Sequence, residues 1–367
     1  MNTQQHIKNK PAYLKVYEQL KNSILEGVYP PGVRLPSKRS LADEMGVSVI
    51  TAQHALDLLC QEGYASSRER SGVYVTYIKD AFQYSGSGVS APFSQLPTLF
   101  DLPADHFPMS VLARHMRRVL SDYDSRILQK APSGGCSELR QALSAYLARV
   151  RQIHVSADQI IVGAGAEYLY GMIVTLLGRN RTYAVEYPSY EKIARVYQAN
   201  DVSLEKLPLN DDGIESTALR KSQASVLHVT PYRSYPSGAT ADANKRQEYL
   251  SWADQPDHFL IEDDYSSEFS ITGKPVDTIF AMRRKSNVIY VNTFSLTIAP
   301  SIRTGYMVLP EELLPEYKTR AGFYACAVPV FEQLVLASLL NSGDFERHIR
   351  RIRRKFRNAQ DKESADS

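Results

Sequence analysis
The sequence predicts a winged helix-turn-helix joined to a larger α/β domain with a mostly parallel sheet. Three patterns carry this reading. Apolar residues recur at helical spacing in three short segments before Gln61. A period-two alternation follows between Tyr64 and Tyr77. After residue 101, apolar runs ending in polar turns alternate with helical stretches, the texture of a sheet covered on both faces.

The first helix is marked by Tyr13, Tyr17, Leu20 and Ile24 and stops at Gly27, before the turn Pro30-Pro31-Gly32. Ser37 has the hydroxyl an N-cap needs and opens a short helix carrying Leu41 and Met45, which Gly46 ends. Ser48 caps a third helix, with Ala52, Ala55, Leu56 and Leu59 facing inward and Thr51, Gln53 and His54 off that stripe. The hairpin turns near Arg70-Ser71-Gly72, where Val73 and Val75 alternate with Tyr74. This unit spans 11–78, and residues 79–100, with Ser-Gly-Ser-Gly and two prolines, form a linker. The second domain covers 101–357, followed by a polar tail over 358–367. Helical stretches near 107–124 and 136–151 lead into the runs Gln159–Val162, Thr182–Glu186, Val226–Thr230, Phe259–Ile261 and Val288–Val291.

Size and composition set bounds. A chain of 367 residues with 43% hydrophobic and 23% charged residues is long enough for two or three domains with a large core. Its net charge of +3 implies nothing about nucleic acid, so any such partner needs a local patch. Cys60, Cys136 and Cys326 are sparse and odd in number, which fits neither a disulfide framework nor a zinc cluster, and no metal is expected. The N-terminus is polar and no run reaches the ~18 apolar residues of a membrane span, so a cytoplasmic location is expected.

In a helix-turn-helix the second helix enters the major groove. Here Ser48, Thr51, Gln53 and His54 form its leading face, while Ser37, Lys38 and Arg39 begin the preceding helix near phosphates. Arg68, Arg70 and Gly72 belong to the wing, which reaches backbone or minor groove. Up to residue 78 there are nine Lys/Arg against seven Asp/Glu, a net charge of +2 that favours modest non-specific affinity for double-stranded DNA. The ordinary alternative is a protein-binding winged helix with solvated arginines.

In the larger domain, the residues converge on a phosphorylated aromatic ligand. Gly165, Ala166 and Glu167 open a helix after a strand, where free N–H groups suit a phosphate. Thr293, Ser295 and Arg303 add anion donors. Asp263 can pair with a protonated ring nitrogen, Tyr265 can donate to a ring oxygen, and Tyr190 can stack on a flat ring. Each has an ordinary alternative: a plain strand–helix turn, a core tyrosine, a solvated acidic loop, or an ion pair of Arg303 with Asp263 or Asp264.

The stretch PPGVRLPSKRSLADEMGVS, with ALDLLCQEGY and SGVYV, resembles the DNA-binding domain of GntR-family bacterial repressors. IIVGAGAE, VEYPSY, VTPYRSYPSG, IEDDYSSEF and TFSLTIAPSIRTGYMVLP resemble the MocR subfamily, in which that domain is fused to a fold-type I aminotransferase-like domain. The resemblance implies pyridoxal phosphate (PLP) as ligand, with Asp263 at the pyridine nitrogen, Tyr265 at the phenolic oxygen, Tyr190 stacking, and Arg303 with the 293–295 hydroxyls on phosphate.

Three departures matter. The family wording is close to SFSKTLAP, and its lysine forms the Schiff base; Leu296 holds that position here and has no amine. Val49-Ile50 stands where family members place an Arg that contacts DNA. The small C-terminal domain of the family is expected to be largely absent, and the run Arg347–Arg357, with seven basic residues, reads as a solvated helix end. The expectation is therefore a homodimeric DNA-binding regulator whose effector domain is catalytically inactive and takes an anionic small molecule, such as PLP, without a covalent bond. The alternatives are a PLP-dependent aminotransferase and a non-catalytic structural or interaction protein.

Overall fold
The computed structural model describes residues 11–68, 71–77, 107–270, 277–283 and 287–363, with side chains to Lys355. Arg70 and the linker expected over 79–100 lie outside the described residues. There are two compact units, the first taking in Ala241–Glu248 besides the N-terminal residues and the second the remainder.

The first unit holds α1 (Ala12–Leu25), α2 (Lys38–Met45), α3 (Val49–Gln61), β1 (Ala65–Arg68) and β2 (Gly72–Val75). Val16, Tyr17, Leu20 and Ile24 bury one face of α1 against Ala52, Ala55, Leu56 and Leu59 of α3. Full burial of a side chain the size of Leu or Ile contributes about 1.5–3 kcal/mol. Ser37 and Ser48 cap their helices, each hydroxyl accepting the amide three residues on, at 3.2 and 3.1 Å. Gly46 ends α2 with φ 62°, which an L side chain resists. β1 and β2 pair antiparallel, Ala65 opposite Val75. The wing also gains an edge: Leu35 donates to Val73 O and Val75 to Val33 O. The sequence reading had only two strands there.

The second unit is built from α4 (Met109–Tyr123), α5 (Ser137–Val150), β3 (Ile160–Gly163), α6 (Ala166–Leu177), β4 (Thr182–Tyr187), α7 (Glu191–Ala199), β5 (Ser203–Asn210), β6 (Gly213–Ile214), α8 (Ser216–Lys221) and β7 (Val226–Val229). It continues through α9 (Ala243–Ala253), of which the residues up to Glu248 belong to the first unit, then β8 (Phe259–Asp263), α10 (Ile279–Met282), β9 (Val288–Thr293), β10 (Gly305–Val308), α11 (Leu314–Arg320), α12 (Val330–Asn341) and α13 (Asp344–Glu363). The sheet order is β3-β10-β9-β8-β7-β4-β5-β6. Strands β5, β4, β7, β8 and β9 run parallel, whereas β10 is antiparallel to both β3 and β9, and β6 to β5.

Strands β3, β7, β9 and β10 are buried along their whole length because both faces of the sheet are covered there. Ile160 and Val162 pack with Leu143, Tyr146 and Leu334 on one side; Ile161 packs with Leu169 and Ile173 on the other. Tyr290 and Tyr306 join the first layer, and Ile289, Val291 and Met307 the second. Helix α13 runs on to Glu363, through much of the stretch expected as a tail. Its basic run is not wholly solvated either. Ile352 is buried, and Arg353 donates through Nε to Glu268 O at 2.5 Å, its pKa lowered by burial. Among the described residues no helix is long and apolar enough to cross a membrane.

Candidate functional site
The front of α3 is pre-engaged. Ser48 Oγ lies 2.8 Å from Thr51 Oγ1, Gln53 donates to Asp57 Oδ1 at 2.6 Å, and the His54 ring stacks on Tyr13 with centroids 4.1 Å apart. Lys38 and Arg39 are exposed at the first turn of α2 and carry no ion pair among the described residues. In the wing, Arg68 lies over the Tyr74 ring at 4.5 Å. Gly72 (φ 121°) lies against Arg34, so close that a Cβ there would stand 2.6 Å from its Nε. Exposed Arg34 is a candidate phosphate contact that sequence reasoning passed over, although it stands in the quoted PPGVRLP.

In the second unit the expected ligand residues gather around one cavity of about 380 Å³, at the carboxyl ends of β8 and β9. Ala166, Glu167, Tyr190, Asp263, Tyr265, Thr293, Ser295 and Arg303 all line it, as do Leu296 and Lys192. Gly165 sits just behind, with φ 88°, and a Cβ on it would stand 3.2 Å from Arg303 Nη2. The backbone angle favours glycine there, and a Cβ would press on the guanidinium.

Asp263 is buried. Its Oδ2 accepts from the Tyr170 hydroxyl and lies 3.5 Å from His228 Nε2, and Tyr197 Oη sits 2.7 Å from His228 Nδ1. A proton given by Tyr197 to Nδ1 leaves the imidazole's own proton on Nε2, toward Asp263. Burial, then the neighbouring Asp263 charge, pushes the Tyr170 phenol well above its ordinary pKa, so it stays a donor. The other oxygen, Oδ1, is buried with no partner among the described residues. Tyr170 and His228 were not foreseen: both lie inside apolar runs, where the sequence marks them as core.

Two expected donors are already committed. Tyr265 donates to Arg233 O at 3.0 Å, and Ser295 to Ile302 O at 2.9 Å. In this arrangement Tyr265 does not offer its proton to a ring oxygen, nor Ser295 to a phosphate. Arg303 pairs with neither Asp263 nor Asp264; it meets Glu167 at 3.3 Å. Asp264 is held instead by buried Arg151 and by the Tyr290 hydroxyl at 2.7 Å. Lys192 adds a cation, 3.3 Å from Glu167 and 5.8 Å from the Tyr190 ring centroid. Hydrogen bonds to Tyr190 and Glu167 raise its pKa, so it is held as ammonium. Tyr190 meets Tyr235 edge-on at 6.3 Å. No group of three or more His, Cys, Asp or Glu among the described residues is placed to hold a metal.

Residues 12–75 match the family described as bacterial regulatory proteins, gntR family. Over 356 residues the chain is 30% identical to YdeL, an HTH-type transcriptional regulator of Bacillus subtilis, covering 95% of this chain and 77% of that one. It is 28% identical over 372 residues to MocR of Rhizobium meliloti, a probable rhizopine catabolism regulatory protein, covering 94% and 75%. The chain belongs to the MocR-type branch of the GntR regulators. The aminotransferase-like fold of this MocR-type chain is shared with the kynurenine aminotransferase of Pyrococcus horikoshii, at TM-score 0.60 and 24% identity. That match covers 68% of this chain and 64% of the enzyme, and it establishes the fold alone.

Residues of this MocR-type cavity fit PLP on two counts. The partnerless Asp263 Oδ1 is placed for a pyridinium N–H, and the Gly165 cradle brings Arg303 to the start of α6 for a phosphate. Such a ligand brings an aldehyde and an electron-poor ring. The chain's own residues would orient it through Asp263, bind its phosphate through Arg303 and the α6 amides, and flank its ring with Tyr190.

Proposed function
We propose that the chain is a DNA-binding transcriptional regulator, acting as a homodimer, whose aminotransferase-like domain has no catalytic activity and senses a phosphorylated heteroaromatic such as PLP without bonding to it. The observation that carries this is the pairing of Leu296 with Asp263 in one cavity. Asp263 keeps an open, buried oxygen for a ring nitrogen, while Leu296 offers no nucleophile for the carbonyl and no base for proton transfer. Recognition is retained and turnover is not. Ligand binding then biases how two winged helices meet paired half-sites, which requires different affinity for the ligand in two states. Pairing of copies is supported by Met109, Met116 and Leu120, exposed apolar residues on one face of α4.

The test is binding of the full chain to the DNA upstream of its own gene, with and without PLP, across a salt series. The expected result is specific binding that PLP shifts, over a salt-dependent background. Binding no tighter than to unrelated DNA would remove the regulatory reading.

A further inference from the structure
The leading turn of α3 carries an apolar tip where a base-reading polar group would be expected. Ile50 is 83% exposed and Val49 beside it 41%. The polar side chains behind them are engaged: Ser48 with Thr51, Gln53 with Asp57, His54 on the Tyr13 ring. The same unit carries exposed cations, Arg34, Lys38 and Arg39 at and before the start of α2 and Arg68 in the wing, none paired with a carboxylate among the described residues. Where such cations meet phosphates they hold a helix in place and carry no sequence information. Such a surface suits DNA, and its reading group is a branched hydrocarbon.

The major groove exposes one apolar group that distinguishes a base: the C5 methyl of thymine. We propose that Ile50, supported by Val49, reads thymine by packing against that methyl, so that each preferred half-site holds a thymine under the start of α3. This rests on the DNA-binding reading above. The side chain is already exposed and β-branched, with little rotamer freedom to lose. Contact with the methyl removes apolar surface of both partners from water, and no desolvated polar group opposes it. Cytosine, bearing only hydrogen at C5, gives no such contact, whereas 5-methylcytosine carries the same methyl at the same place.

The experiment begins with selection of bound duplexes from a random-sequence pool by the full chain. Each thymine in the selected site is then replaced singly by deoxyuridine, which deletes only the methyl. For the parent, one position per half-site should weaken by about three- to tenfold, the scale of one buried methyl with its packing. With Ile50→Ala the same replacement should have no effect, and Ile50→Val should keep most of it. Because Ile50 is exposed, neither variant threatens the fold, and a circular dichroism melt checks this. A selected motif that tolerates deoxyuridine everywhere, or a deoxyuridine penalty unchanged in Ile50→Ala, overturns the proposal while leaving DNA binding intact. Failure to select any motif overturns both.

Discussion

Glu167 faces Arg303 beside the cavity, its Oε2 3.3 Å from Nη2, while its other oxygen meets Lys192 Nζ at 3.3 Å. A carboxylate thus occupies the space between two cations at the start of α6, where a ligand phosphate would be drawn. Glu167→Gln removes this internal competitor and its repulsion. Pyridoxine 5′-phosphate, which has no aldehyde, should bind the variant about two- to fivefold tighter, the scale of an exposed ion pair. Unphosphorylated pyridoxine should bind parent and variant equally. Calorimetric titration of both ligands checks this.

Asp263→Asn should act oppositely and more strongly. Its open oxygen offers a charged acceptor in a buried site, and a hydrogen bond to a charged group is worth about 1.5–3 kcal/mol. The variant should lose about ten- to a hundredfold in affinity for pyridoxine 5′-phosphate. Equal affinity in the same titration would mean that the ring nitrogen does not engage this carboxylate.

Stability should fall as pH rises through neutrality. Burial raises Glu186 from 4.5 to about 8, opposed by hydrogen bonds from Ser234 at 2.5 Å and Thr230 N at 3.1 Å. The folded state therefore holds a proton that the unfolded chain releases near its ordinary pKa. This contribution is complete below that ordinary value and is lost as pH climbs through about 8. Glu262 and Glu268, each raised to about 7, act in the same direction. Thermal melts between about pH 5 and about pH 9 should show a declining midpoint, and Glu186→Gln should flatten part of the slope.

Arg151 is the counter-ion of Asp264, and both are buried. Arg151→Leu leaves that carboxylate unpaired and should destabilise the domain by about 3–5 kcal/mol. The double variant Arg151→Leu with Asp264→Leu should recover much of the loss, because the carboxylate left without its counter-ion is removed with it. Urea unfolding of the parent, Arg151→Leu, Asp264→Leu and the double variant measures the coupling.

Much of this structure was legible beforehand where local chemistry decides it. The stripe Tyr17, Leu20, Ile24 and the caps Ser37 and Ser48 set the helices of the first unit, and the continuous apolar runs became the core strands of the sheet. What was missed depends on neighbours distant in sequence. β5, Ser203–Asn210, lies near the sheet edge with mixed exposure and so shows no apolar run. β10, Gly305–Val308, is only four residues long and hides within a motif read for its anion donors. The meeting of Ala166, Asp263 and Arg303 at one cavity follows from strand ends in a common layer, which the order of the segments suggested. The engagement of Tyr265 with Arg233 O, of His54 with Tyr13, and of Lys192 with Glu167 are pairings no linear pattern encodes.

The chemistry attributed to Leu296 is best tested by trapping. The full chain is incubated with PLP, reduced with borohydride and digested, and its peptides are weighed. The expected result is no phosphopyridoxyl group on any residue lining the cavity of the parent, Lys192 included, and such a group at position 296 in Leu296→Lys. A parent chain reduced to a stable adduct at Lys192 or any other cavity residue would contradict recognition without covalent capture.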